Sequence, residues 1–221
     1  MPRRSLKDAG GLVLHVLNRS AKRAQLFFND QDYCVFENLL RCALVRTPTR
    51  LLAYCLMPNH WHLVLWVVGN EIPCFMHWLT LTHAKQWHKA HGTAGTGYVY
   101  QNRYRAIPVQ TDTHLLTLLR YVERNPLRAC LVARAEEWRW GSLWRRCNFR
   151  DDDLLSPWPL PRPENWLEIV NIPETIAELE AIREAVKRNR PIGEPEWSAE
   201  AARLVKLVMG GAGRPAKPNR V

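Results

Sequence analysis

The sequence lacks any apolar run long enough to cross a membrane. A membrane-spanning helix needs roughly 18 or more apolar residues in succession, whereas the apolar stretch 52–68 (LAYCLMPNHWHLVLWVV) is interrupted by Pro58, Asn59 and two histidines. The N-terminal residues MPRRSLKDAGG also lack the apolar middle region of a secretory signal. We therefore expect a cytoplasmic protein with no membrane partner.

Closely spaced pairs of cysteines are absent as well. The six cysteines include no C-x-x-C pair and no zinc-like spacing. Three of them lie in apolar patterns, and we predict that Cys34, Cys42 and Cys55 are small core residues in a reducing compartment. The glycine-rich residues 92–97 (GTAGTG) lack the lysine and the following helix of a phosphate-binding P-loop, so they predict only a flexible connector.

Acidic residues are too few to balance the basic ones. The chain has 31 Lys and Arg against 21 Asp and Glu, a net charge of +10 and a pI of about 9.6. This excess predicts a polyanionic partner, most simply nucleic acid, with an anionic membrane surface as the competing partner. The length of 221 residues fits one domain of ordinary size with room for an extension.

The apolar stretch 52–68 predicts an antiparallel hairpin, with strands at 51–57 and 60–68 joined by a Pro58-Asn59 turn. Side chains alternate along a strand, so His60 and His62 share one face. Two imidazoles on one face can bind a divalent cation if another element supplies a third ligand. They can equally be ordinary histidines that form hydrogen bonds near the end of a strand.

The remaining hydrophobic patterns predict a mixture of helices and strands. The acidic and then proline-rich residues 151–163 mark a boundary, which divides the chain into a first unit, 1–150, and a second, 151–221. The histidines of the second helix are spread around it, so we predict that His77, His83, His88 and His91 are solvated or contact phosphate. The predicted elements are strands at 12–18 and 106–110, helices at 32–46, 71–91 and 113–124, a packing segment at 133–148, and helices at 173–189 and 198–209.

Tyr121 and Asn125 lie four residues apart on the helix before Pro126, and therefore on one face. A tyrosine here can be a core ring. A phenolic oxygen beside a metal can also attack a phosphodiester, with the Asn125 amide oxygen as the third ligand. Because tyrosine has an ordinary pKa of about 10, it would need help from the metal or a base. No carboxylate base is evident, since Glu123 is expected on the other side of the helix.

Three segments, MPNHWHLVLW, YQNRYRAI and RYVERNPLRACLV, in that order, closely resemble the REP-associated tyrosine transposases. These are single-tyrosine members of the histidine-hydrophobe-histidine (HUH) transposase and nuclease superfamily. The resemblance covers about residues 3–146, and RPIGEPEW and GRPAKP resemble the family's C-terminal extension more loosely. It implies an α+β fold, a ferredoxin-like antiparallel sheet flanked by helices, with a helical C-terminal extension followed by a basic tail.

The resemblance also implies an activity, that of a metal-dependent single-stranded DNA endonuclease and transposase. His60 and His62 take the role of metal ligands, Asn125 falls where a third ligand lies in relatives, and Tyr121 takes the role of nucleophile. Attack would leave a 5′-phosphotyrosine and a free 3′-hydroxyl at hairpins of repetitive extragenic palindromes (REP). The family is associated with magnesium or manganese, although imidazoles suit softer ions better than magnesium. Relatives act as monomers or homodimers.

Arginines that alternate with tyrosines in residues 98–110 (YVYQNRYRAIPVQ) suit nucleic acid, because guanidinium groups bind phosphates and rings stack on unpaired bases. An edge strand with a solvated charged face is the alternative. The predicted DNA contacts are Arg103, Tyr104, Arg105, Arg19 and Arg23, together with Arg214, either as a minor-groove arm or as part of an unstructured basic tail. The alternative function is a hairpin-DNA-binding protein whose cleavage activity is residual or lost.

Overall fold

The computed structural model describes residues 11–67, 71–150 and 153–209. Within these ranges the chain forms four strands and eight α-helices, with short 3₁₀ turns between some of them. In chain order they are β1 (Leu12–Arg19), α1 (Asp30–Arg46), β2 (Thr49–Met57), β3 (His60–Val67), α2 (Ile72–His91), β4 (Arg105–Val109), α3 (Thr113–Glu123), α4 (Asn125–Arg128), α5 (Ser142–Asn148), α6 (Trp166–Asn171), α7 (Ile176–Arg188) and α8 (Pro195–Met209).

The four strands form one antiparallel sheet in the order β2-β3-β1-β4. The first six elements follow the order βαββαβ, which with this strand order is the ferredoxin-like arrangement. The predicted α+β fold with a helical C-terminal extension is therefore confirmed. Among the described residues, no helix is both long enough and apolar enough to span a membrane.

The central strand β3 is buried on both faces, and its alternation sorts its side chains between two cores. Trp61 and Leu63 pack in the core that the sheet shares with α1 and α2. Val64 packs in the second core with Leu118 and other residues of α3. His60 and His62 therefore face the α3 side of the sheet, and they share one face as the hairpin pattern predicts.

The C-terminal extension packs on this second face. Trp166 of α6 and Ile182 of α7 are buried in the same core as α3. At the β4 edge of the sheet, the backbone of Ile192 donates to Pro108 and accepts from Gln110, at 2.8 Å each. The division into units 1–150 and 151–221 stays a prediction, but its second part shares a hydrophobic core with the first.

Several local predictions need correction. His83 is not solvated but buried, with its Nδ1 at 2.7 Å from the Tyr100 hydroxyl. Cys42 is exposed, while Cys55 is buried and Cys34 is half-buried. Helix α3 ends at Glu123, close to the predicted end at 124, and Pro126 lies in the first turn of the short helix α4, where a proline costs no hydrogen bond. The short helix α6 was not predicted.

Candidate active site

A cleft with a volume of about 620 Å³ lies where β1, β3, α3, α4 and α7 meet. Its lining contains the four side chains to which the sequence assigns chemistry, His60, His62, Tyr121 and Asn125. They come from three different elements, the strand β3 and the helices α3 and α4, yet they line the same cavity. The cleft is thus the candidate active site.

The two histidines of β3 lie side by side, with their ring centroids 5.0 Å apart. His62 is buried and His60 is half-buried. The Nδ1 atom of His60 is 2.6 Å from the Oδ1 of Asn59, and the Nδ1 atom of His62 is 2.9 Å from the Nε2 of His15. Among the described residues, nothing forms a hydrogen bond with the Nε2 of His62. Each ring thus uses Nδ1 within the protein, and a ligand can use Nε2.

Burial keeps these histidines neutral. It lowers the pKa of His60 to about 4, with smaller contributions in the same direction from Arg19 and Arg128. Burial also lowers the pKa of His62 well below its ordinary value, helped by the neighbouring His60 and His15. A neutral imidazole carries one free lone pair, which is the form that binds a metal. At neutral pH both rings are therefore neutral, the form that can bind a metal.

Tyr121 of α3 and Asn125 of α4 approach the histidines from the helical layer. Tyr121 is 9 % exposed, and its ring stands edge-on to His62, with centroids 6.0 Å apart. The guanidinium of Arg128 lies over this ring, 4.2 Å from its centroid. Asn125 is also buried and lines the cleft. The tyrosine is thus part of the second core and of the cleft wall at once.

Arg128 is a cleft residue that the sequence prediction missed. A buried carboxylate holds it, since Glu174 of the extension accepts from Arg128 at 2.7 Å and from Arg124 at 3.0 Å. In the sequence, only its position in RNPLR, three residues after Asn125, could have indicated that Arg128 is a site residue. Its bond to Glu174 joins residues far apart in sequence, and no local pattern predicts it. The extension therefore positions a cation above the tyrosine ring.

The predicted phosphate contacts also reach the cleft, since its lining includes Arg19, Arg23, Arg103 and Arg105. Arg105 additionally donates from Nη1 to the backbone carbonyls of Val186 and Lys187 at the end of α7. That helix adds Arg183 and Lys187 to the same lining, and neither was predicted as a site residue. Basic side chains thus surround the cleft on the sheet side and on the α7 side.

One predicted DNA contact, Tyr104, does not line the cleft. The ring of Tyr104 is buried in the core that the sheet shares with α1 and α2, whereas a ring that stacks on a base is expected at the surface. The alternation along this segment explains the difference, because Arg103 and Arg105 point outward and the residue between them points inward. Arg214 lies outside the described residues.

The donors in the cleft fit a weakly held divalent cation. Two neutral imidazoles and one amide oxygen leave positions for water or phosphate, and this mixed set suits manganese better than magnesium. The described residues contain no cluster of three or more His, Cys, Asp or Glu that could hold a metal. The partnerless Nε2 of His62 is the observation that favours a ligand here.

Three comparisons with known proteins add to this description. The family model described as "Transposase IS200 like" matches residues 9–125, a range that ends at Asn125. No curated protein matches the chain. Among solved structures, the fold is similar to that of the "REP associates tyrosine transposase bound to a REP hairpin", with a TM-score of 0.53 and 16% identity over 74% of this chain and 97% of that chain. A protein from Deinococcus radiodurans R1 described as a transposase gives a TM-score of 0.40 and 23% identity over 51% of this chain and 89% of that one.

Proposed function

The chain belongs to the IS200-like transposase family, and on that basis we propose that it cleaves and rejoins single-stranded DNA at hairpin sequences through a 5′-phosphotyrosine intermediate. The observation that carries this proposal is the presence of Tyr121, His60 and His62 in the lining of one basic cleft. The net charge of +10 predicts a polyanionic partner, and in this proposal that partner is the DNA substrate.

In the proposed reaction the hydroxyl oxygen of Tyr121 attacks phosphorus. A bond forms between this oxygen and phosphorus as the phenol releases its proton to solvent, the bond from phosphorus to the 3′-oxygen breaks, and the 3′-oxygen takes up a proton from solvent and leaves as a hydroxyl. One phosphoester replaces another, so a 3′-hydroxyl can later reverse the step and join strands without nucleotide hydrolysis. His62 and Arg128 pack against the phenol ring and hold its position.

His60 and His62 would hold a divalent cation through their Nε2 atoms, with Asn125 as the third ligand through its amide oxygen. When bound, magnesium or manganese supplies a Lewis acid that polarises the scissile phosphate. Arg128 is the residue best placed to bind a phosphate oxygen beside Tyr121, because its guanidinium already lies 4.2 Å from the centre of that ring.

The hairpin form of the substrate rests on the neighbour of similar fold, which was solved bound to a REP hairpin. The cleft suits a single strand, since Arg19 and Arg23 line it from the β1 side and Arg103 from the loop before β4. Phosphates of an extended strand can contact these arginines in succession. We propose that Arg183 and Lys187 bind the same strand from α7.

The test is a cleavage assay with an end-labelled DNA hairpin that has single-stranded flanks, in the presence of Mn²⁺. We expect a protein–DNA adduct that resists denaturation and disappears in Tyr121→Phe. Tyr98→Phe is the matched control, because Tyr98 is exposed outside the cleft and its loss should leave the adduct unchanged. Tight hairpin binding without cleavage would instead indicate a DNA-binding protein that has lost the activity.

A further inference from the structure

We propose that His15 is a positioning residue of the cleft, whose imidazole holds His62 in the tautomer that leaves Nε2 free for a divalent cation. This inference rests on the proposed function, because it takes His62 to be a metal ligand. His15 itself does not line the cleft, and nothing in the sequence pattern singles it out.

The register of the sheet places His15 behind His62. On β1, His15 lies opposite Val64 of β3 and Leu17 lies opposite His62, so the two histidines are diagonal neighbours on one face. Their rings stack with centroids 5.1 Å apart and an angle of 18° between the ring planes. His15 is fully buried, and its Nε2 is 2.9 Å from the Nδ1 of His62.

A single proton lies in this hydrogen bond, and its location decides what the outer nitrogen of His62 can do. If the proton is on Nδ1 of His62, that atom donates to Nε2 of His15, whose own proton is then on its buried Nδ1, and the neutral ring of His62 has a free lone pair at Nε2. If the proton is on His15, His62 must carry its own proton at Nε2 and cannot bind a cation there. Arg19 and Arg128 line the same cleft as His62, and positive charge on that side of the ring favours a lone pair over an N–H group at Nε2.

His60 has an equivalent arrangement with a different acceptor. The amide of Asn59 is oriented by its Nδ2, which donates to the carbonyl of Arg23 at 3.4 Å, so its Oδ1 faces Nδ1 of His60 and must accept a proton there. The Nε2 of His60 is then unprotonated. Metal-binding histidines commonly donate their second nitrogen to an acceptor that fixes the ring and its tautomer. His15 gives His62 the acceptor that Asn59 gives His60.

The test compares His15→Leu with His15→Gln in the full chain, without DNA, by counting free Mn²⁺ with electron paramagnetic resonance. Leucine fills the buried space but cannot accept a hydrogen bond, whereas the glutamine carbonyl can. We expect His15→Leu to weaken Mn²⁺ binding about 10- to 100-fold, and His15→Gln to bind close to the wild-type affinity. A purely structural role for His15 would not produce rescue by glutamine.

The wild-type protein offers a second readout that needs no variant. In the metal-free protein, ¹⁵N NMR of the imidazole nitrogens should show His62 protonated at Nδ1 and unprotonated at Nε2, and the reverse pattern would overturn the proposal. A second result would also overturn the proposed role of His15: wild type and His15→Leu bind Mn²⁺ with equal affinity, while His62→Ala abolishes binding. The proposed metal site would still stand in that case. If His62→Ala binds Mn²⁺ like the wild type, the proposed site fails as well.

Discussion

Removing the two basic side chains that α7 contributes to the cleft should make DNA binding less sensitive to salt. Arg183 and Lys187 line the same cleft as Tyr121. If each contacts one phosphate of a single strand, their loss should reduce the slope of log K against log salt by about 1.4, since each contact contributes about 0.7. Between about 50 and 200 mM salt, wild-type affinity should therefore fall about sevenfold more than that of the double alanine variant.

The assay is fluorescence anisotropy with a labelled hairpin that has single-stranded flanks, measured across this salt range in the Tyr121→Phe background to prevent cleavage. The matched control is Arg188→Ala with Arg190→Ala, which removes two positive charges from the same region but none from the cleft lining. Its slope should stay close to the wild-type slope. Equal slopes for wild type and the Arg183/Lys187 variant, or equal losses in both double variants, would refute a role for α7 as a wall of the DNA site.

Three further predictions follow from two buried side chains and from the presence of Tyr121 and His62 in one cleft. Glu174→Gln leaves Arg124 and Arg128 without their buried carboxylate, so urea unfolding should show a free energy of unfolding about 3 kcal/mol lower than that of the wild type. Adduct formation should also fall, because Arg128 is released. Unchanged stability would contradict the ion pairs with Glu174. Burial lowers the pKa of His83 to about 4 from 6.5. Between about pH 7 and 5 the unfolded chain therefore binds a proton at His83 that the folded chain does not bind. Over this range the free energy of unfolding of the wild type should fall by about 2 kcal/mol more than that of His83→Gln. Because Tyr121 and His62 of the same chain line one cleft, mixing Tyr121→Phe with His62→Ala should not restore cleavage, and restored cleavage would instead indicate sites shared between two chains.

Local periodicity explains what could be predicted from the sequence. Alternation along β3 placed His60 and His62 on one face, and helical spacing placed Tyr121 near Asn125, because both patterns depend only on neighbours in the chain. The same alternation, applied to the segment before β4, would have turned Tyr104 inward between its two arginines. The prediction of Tyr104 as a DNA contact gave residue type more weight than position.

The rest of the site depends on contacts between distant parts of the chain. His15 reaches His62 only through the register of β1 against β3, and Glu174 reaches Arg128 only after the extension has packed on α3. The side chains that α7 adds to the cleft have the same origin, since they look like the solvated face of a surface helix. Sequence patterns sort side chains by face, but they do not indicate which faces meet.

The central claim is that the oxygen of Tyr121 becomes bonded to the 5′ side of the cleaved DNA, and mapping the adduct tests it most directly. The denatured adduct is digested with nuclease and trypsin, which should release the peptide of residues 121–124 (YVER). Mass spectrometry should then find a nucleotide on Tyr121, while a polymerase should extend the released fragment from a free 3′-hydroxyl. A nucleotide on another residue, or cleavage that leaves a free 5′-phosphate and no adduct, would contradict the account.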